Sequence, residues 1–168
     1  LTALINEAAK SEAFSGGRWA VPRVVRAPCG GGYGDGGQHE QALWGMLAGV
    51  PGLAVVVPST PADAAGLMRS SLEHDGPVVF LEHKHLYRQT YNKAAYPGPE
   101  FMSPLGKANV VQQGSDLSVI TYGATVHRTV QACRHLENEG ISVEIVDLRS
   151  LSPVDWETIR ASARKTSK

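Results

Sequence analysis

The chain has 168 residues, 42% of them hydrophobic, and its sixteen basic and sixteen acidic side chains cancel to a formal net charge of +0. That length and apolar content suffice for a buried core in one large or two small domains, and the balanced charge excludes the basic field that draws a protein to nucleic acid. No apolar run approaches the ~20 residues needed to span a bilayer, so no membrane partner is expected. Cys29 and Cys133 lie far apart at no metal-ligand spacing, which fits two reduced thiols in a cytosol-like compartment. A net charge near zero gives little colloidal repulsion and points to a subunit of an assembly. Leu1-Thr2-Ala3 opens in helical pattern without an initiator Met, and Arg164–Lys168 stops without a capping signal, which reads as a segment cut at both ends.

In chain order, Leu1, Leu4, Ile5, Ala8 and Ala9 follow the spacing of an amphipathic helix that Gly16-Gly17 ends. Val21–Arg26 predicts a short strand, and six glycines crowd positions 30 to 37 behind it. The glycine loop leads into a predicted helix whose apolar face carries Ala42, Leu43, Met46 and Leu47, with His39 at the N-terminal end of that face. Leu53–Val57 is an unbroken apolar run, as expected of a parallel strand covered on both sides. Thr60-Pro61-Ala62-Asp63 supplies a cap, a proline at the first helical position and an acidic third residue, so a helix with the stripe Ala64, Leu67, Met68, Ser71 and Leu72 follows. Val78–Leu81 is another buried strand. Residues 91–104, broken by Pro97, Gly98, Pro99 and Pro104, read as an interdomain linker. Beyond it come strand Leu117–Thr121, a helix carrying Val126, Val130, Cys133 and Leu136, strand Val143–Val146, and a last helix announced by Ser152-Pro153-Val154-Asp155. The alternation predicts an α/β fold with parallel sheets in both halves, a domain over 1–90 and a second over 105–168.

Gly32-Tyr33-Gly34-Asp35-Gly36-Gly37 satisfies G-x-G-x-x-G between a strand and a helix. A dinucleotide site also needs a carboxylate at the end of the second strand, ~20 residues on, and that strand ends Val57-Pro58-Ser59. The glycines are better explained by a loop that passes close to another backbone or a ligand.

Five stretches taken together resemble the β subunit of the thiamine-diphosphate-dependent decarboxylating component of 2-oxo acid dehydrogenase complexes: Val24–Pro28 with its glycine loop, Gln38–Gln41, Pro51–Pro61, Gly76–Glu82 and Val146–Pro153. Glu82–Arg88 and Gly114-Ser115-Asp116 look more like the branched-chain (2-oxoisovalerate) members than the pyruvate members. The resemblance implies a pyrimidine-binding thiamine diphosphate domain followed by a transketolase C-terminal-like domain, both incomplete here. It implies an α subunit that holds most of the cofactor with its magnesium, a second β subunit in an α2β2 heterotetramer, and a lipoyl-bearing acyltransferase core. Localisation would be cytoplasmic in a bacterium and the mitochondrial matrix in a eukaryote.

By the same resemblance His39 is the catalytic histidine that handles protons when the acyl group passes to lipoamide, a role suited to the one side chain that titrates near neutrality. Glu40 stands where serine is usual in the family, and a carboxylate there would act on the neighbouring imidazole. The cofactor-activating glutamate is expected upstream of Leu1, which would leave this span inactive by itself, so no cofactor-binding residue is assigned within the chain. A potassium site would fall around Arg23, Ser71, His74 and Gly76, where His74 and Gly76 replace the usual acid and amide, and the metal is left open. His83 and His85 read as a solvated segment after a strand, His127 as a helix-start surface residue and His135 as solvent-facing. Two other readings stand beside this one: a catalytically silent module acting only in subunit association, and transketolase-like or deoxyxylulose-phosphate synthase-like chemistry.

Overall fold

A computed structural model describes residues 1–168. Strands β1 (Arg23–Cys29), β2 (Ala54–Val56) and β3 (Pro77–His83) run parallel in the order β1-β3-β2, with Arg23 to Cys29 of β1 opposite Pro77 to His83 of β3. A second sheet is ordered β4-β6-β5, where β4 is Asn109–Gln112, β5 Leu117–Thr121 and β6 Val143–Asp147. β5 and β6 are parallel and β4 is antiparallel to β6. The short strand β7 (Ser150–Ser152) leaves the second half and adds antiparallel to β2. Each sheet is therefore mixed, not purely parallel as the alternation suggested, because the short strands β4 and β7 add antiparallel at the sheet edges.

The apolar runs of β2 and β3 follow from burial on both faces. Val55, Val57, Val79 and Leu81 pack on one side with Ala9, Cys29, Leu47 and Leu53, while Ala54, Val56, Val78 and Phe80 pack on the other against Leu67. Alternate residues of each strand thus serve opposite layers, so neither strand has a polar face. A third cluster joins Cys133, Val143 and Ile145 under the long helix of the second half.

Five α-helices complete the fold: α1 (Ser11–Phe14), α2 (Trp44–Ala48), α3 (Pro61–Leu72), α4 (Ala124–Asn138) and α5 (Trp156–Thr166). The expected first helix is not one regular helix: Ala3–Glu7 winds as a π-helix and Ala8–Lys10 as a 3₁₀ turn before α1. α3 starts as its sequence dictates, with Thr60 Oγ1 accepting from the Asp63 amide at 3.1 Å. α5 is capped by Asp155, whose carboxylate accepts from the Thr158 amide at 3.1 Å, while Ser152 belongs to β7. Residues 93–104 have no regular helix or strand, yet they are packed: Ser103 is buried, and Arg69 Nη1 donates to the Phe101 carbonyl at 3.0 Å.

Candidate functional site

In open parallel α/β sheets, ligands bind outside the carboxyl ends of the strands. Here β1, β2 and β3 end side by side, and the segments that leave them are the glycine loop, Pro58-Ser59-Thr60 and His83–Arg88. Between the last two lies a cavity of ≈ 380 Å³ with Arg26, Ser59, Glu82, Tyr87 and Asn92 on its walls. Arg26 grips the Glu82 carboxylate with Nε at 2.7 Å and Nη2 at 3.0 Å, and the Tyr87 hydroxyl also donates to it. Burial pushes the Glu82 pKa up, but the hydrogen bonds from Arg26 and Tyr87 and the Arg26 charge outweigh it, so the carboxyl is held below its ordinary value. Burial, followed by the bond to Glu82, pushes the Tyr87 hydroxyl up to about 12. Asn92 Oδ1 is buried in this wall without a hydrogen-bond partner.

His83 ends β3 opposite Cys29, half-buried rather than solvated as its polar neighbours suggested. Its Nδ1 accepts from the Ala124 amide at the start of α4 at 3.3 Å, the ring also bonds the Gly31 backbone, and its centroid lies 6.0 Å from that of Trp44. Trp44 in turn meets Tyr122 edge-on at 5.5 Å. Desolvation lowers the His83 pKa and the Gly31 bond opposes it, and the ring links the glycine loop to the start of α4 in the second half. His85 Nδ1 lies 3.0 Å from the Gly32 carbonyl oxygen. The missed signal was the strand register: the glycine loop begins one residue after Cys29, directly across from His83.

His39 is exposed in a turn of the loop, its amide donating to the Gly36 carbonyl at 3.2 Å. It does not sit on a helix. α2 covers only Trp44–Ala48, Leu47 is buried, and Leu43 and Met46 are exposed. The segment 38–43 closes the loop instead of winding into a helix: the Gln41 carbonyl accepts from the Gly30 amide, and Glu40 turns its carboxylate to the loop amides rather than to the imidazole beside it.

Of the potassium-site residues, Ser71 is buried and donates to the Leu67 carbonyl at 2.7 Å, while His74 is exposed. No group of three or more His, Cys, Asp or Glu side chains is arranged to hold a metal. His127 is not free surface, because its Nε2 lies 2.8 Å from the Ser59 carbonyl oxygen and its ring packs tilted against Tyr91 with centroids 5.1 Å apart. His135 is solvent-facing as expected.

Residues 2–90 match the family described as transketolase, pyrimidine binding domain, and residues 106–168 match transketolase, C-terminal domain. The pyruvate dehydrogenase E1 component subunit beta of Bacillus subtilis (strain 168) is 49% identical over 92% of this chain and 47% of its own length. The 2-oxoisovalerate dehydrogenase subunit beta of the same organism is 45% identical over 98% of this chain and 50% of its length. The pyruvate dehydrogenase E1 component subunit beta of Acholeplasma laidlawii is 45% identical over 99% and 50%. The chain spans about half the length of these curated relatives. Among solved structures, one described as a split gene transketolase, inactive beta4 tetramer, superimposes with a TM-score of 0.67 at 24% identity, covering 86% of this chain and 45% of that one, a likeness of fold.

Proposed function

Because the chain belongs to the transketolase family, carrying its pyrimidine binding domain followed by its C-terminal domain, we propose that it is part of the β subunit of the decarboxylating component of a 2-oxo acid dehydrogenase. Such an enzyme releases carbon dioxide from a 2-oxo acid and passes the acyl group to a lipoyl domain. The observation that carries the reading beyond family membership is the placement of His39. It is exposed on a loop at the carboxyl end of the parallel strands, where an imidazole can exchange a proton with an incoming group.

The residues present do not form a diphosphate and magnesium site. No acidic or histidine cluster is arranged for a metal, and the glycine-loop amides that could face a phosphate are occupied by Glu40. Thiamine diphosphate and its magnesium, which supply the electron sink for decarboxylation, are therefore assigned mainly to an α subunit. Glu82, the carboxylate on the cavity wall, is already paired with Arg26 and Tyr87, so it is not assigned the cofactor-activating role. The partners in this reading are the α subunit, a second β subunit and the lipoyl-bearing core, in bacterial cytoplasm or a mitochondrial matrix. The branched-chain preference suggested by Glu82–Arg88 is not singled out by the relatives, since pyruvate and 2-oxoisovalerate types match at 49% and 45%.

The test is the complete β subunit containing these residues, assembled with its α subunit and assayed with pyruvate and branched 2-oxo acids. Release of carbon dioxide from at least one is expected, and cofactor binding without decarboxylation of either overturns the assignment. In the same assembly, His39→Ala is expected to slow acyl transfer to a lipoyl domain by roughly 10²-fold or more while decarboxylation with an artificial electron acceptor falls less. Equal losses in both assays would remove His39 from the transfer step.

A further inference from the structure

The glycine loop behind β1 is wrapped around a carboxylate of its own chain. Glu40 Oε1 accepts from the amides of Tyr33 at 2.9 Å, Gly34 at 2.5 Å and Asp35 at 3.0 Å, and Oε2 accepts from Gly32 at 3.3 Å. Four consecutive amides can aim at one anion because Gly32 and Gly34 take φ of +94° and +95° while Tyr33 and Asp35 between and after them do not, the alternation that makes a backbone anion nest. Bonds from neutral N–H groups to a charged acceptor are about twice as strong as neutral pairs, so this single side chain ties the loop tip at four points. The rim adds fixed points: Asp35 pairs with Lys84, Lys84 Nζ sits 4.9 Å from the centroid of the Tyr33 ring, and His85 Nδ1 lies against the Gly32 carbonyl. Most of the loop glycines are exposed, so no buried side chain fixes residues 31–37.

We propose that Glu40 is a positioning residue: its carboxylate, seated in the amides of residues 32–35, closes the glycine loop and thereby sets the place of the adjacent His39 imidazole on the loop that leaves β1. The proposal rests on the reading of His39 as the group that serves acyl transfer. It assigns the G-x-G-x-x-G pattern a ligand inside the molecule, where a dinucleotide phosphate would be expected from the pattern alone.

The test compares wild type, Glu40→Ala, Glu40→Asp and His39→Ala in the complete β subunit assembled with its α subunit. Amide hydrogen exchange is read at residues 32–35, and acyl transfer is read separately from decarboxylation with an artificial acceptor. Glu40→Ala should accelerate exchange at these amides by about tenfold or more and lower acyl transfer more than decarboxylation. Added formate, a free carboxylate small enough to enter the emptied nest, should restore both in Glu40→Ala and change neither in wild type. Glu40→Asp should fall between the two, and His39→Ala should leave exchange at 32–35 as in wild type. Unchanged exchange in Glu40→Ala overturns the nest, and fast exchange with undiminished transfer overturns the positioning role. Undiminished transfer in His39→Ala overturns the reading of His39 itself, whatever the exchange data give, and with it the purpose assigned to Glu40.

Discussion

At Gly30 the chain leaves β1 with φ of +74°, and a Cβ built there would lie 2.3 Å from His83 Nε2. Neither problem can be relieved alone, because the His83 ring is held at Nδ1 by the Ala124 amide and by the Gly31 backbone. Gly30→Ala should therefore cost roughly 1–3 kcal/mol, the usual range for a side chain forced into a sparsely populated backbone region. A shift of the urea midpoint measures it, and an unchanged midpoint would mean that the His83 ring is not fixed. The neighbouring Cys29 offers a separate check. It is 2% exposed, and burial, then the charge of Glu82, pushes its thiol up to about 12, so almost no thiolate exists near neutral pH. Iodoacetamide should leave Cys29 unmodified in the folded chain and alkylate it once urea unfolds the protein. Rapid labelling of the native state would show that β1 opens far more readily than its pairing with β3 implies.

Among the elements, α3 ties the first sheet to the segment that crosses it. Thr60, Pro61 and Asp63 start the helix, Leu67 fills the core beneath it, and Gly66 lets the chain at Ser103 lie directly on its outer side. A Cβ at Gly66 would come 2.5 Å from Ser103 Oγ and 2.8 Å from the Ser103 backbone nitrogen. Helix propensity alone favours Gly66→Ala by about 1 kcal/mol, whereas overpacking costs about 1–3 kcal/mol. Since the obstacle includes backbone, the second effect should win, with a net loss of about 1 kcal/mol and a fall in Tm of about 2–4 °C. A rise in Tm would mean that residues 101–103 lift away from the helix at little cost. The start of α3 and its core residue Leu67 were legible in advance. Strong periodic signals, such as Leu53–Val57 or the Thr60 cap, report local physics and appear where they were expected. The packing of 93–104 was not legible, because breakers such as Pro97 and Gly98 announce only the lack of regular structure and say nothing of contact with α3. β4 and β7 were missed for a related reason, since strands of four and three residues carry too little alternation to register as a period.

Across the whole molecule, what His83 bonds to depends on the pairing of β1 with β3 and on the start of α4, and what Glu40 bonds to depends on the alternating φ of the glycine loop, neither of which a hydrophobic period encodes. The same holds for the junction of the two halves. Ser59, after β2, donates to Asp147 at the end of β6, Arg149 Nη1 reaches Asp63 of α3 at 2.9 Å, and Val57 donates to the Arg149 carbonyl at 2.8 Å. Asp147 is fully buried there. Burial raises its pKa to about 6 against the bond from Ser59, with the charge of Asp63 adding to the rise and the Arg149 amide and guanidinium opposing it. A carboxyl whose folded value lies above its ordinary 3.8 binds more protons in the native state than in the unfolded one. Its contribution to stability is then fully present below the unfolded value and is lost as pH rises through the folded one. Glu144 and Asp155 act in the opposite sense: burial raises both, but Lys165 holds Glu144 down, and the Ala108 and Thr158 amides hold Asp155 down, so their contributions are lost on acidification. Comparing wild type with Asp147→Asn cancels those common terms, and the amide oxygen can still accept from Ser59. Wild type should therefore gain stability relative to Asp147→Asn as pH falls from about 6 to about 4, read as a rise of the wild-type urea midpoint relative to that of the variant across that window. A gap that stays constant with pH would show that Asp147 is charged throughout, and that Arg149 rather than a proton neutralises it at the seam between the sheets.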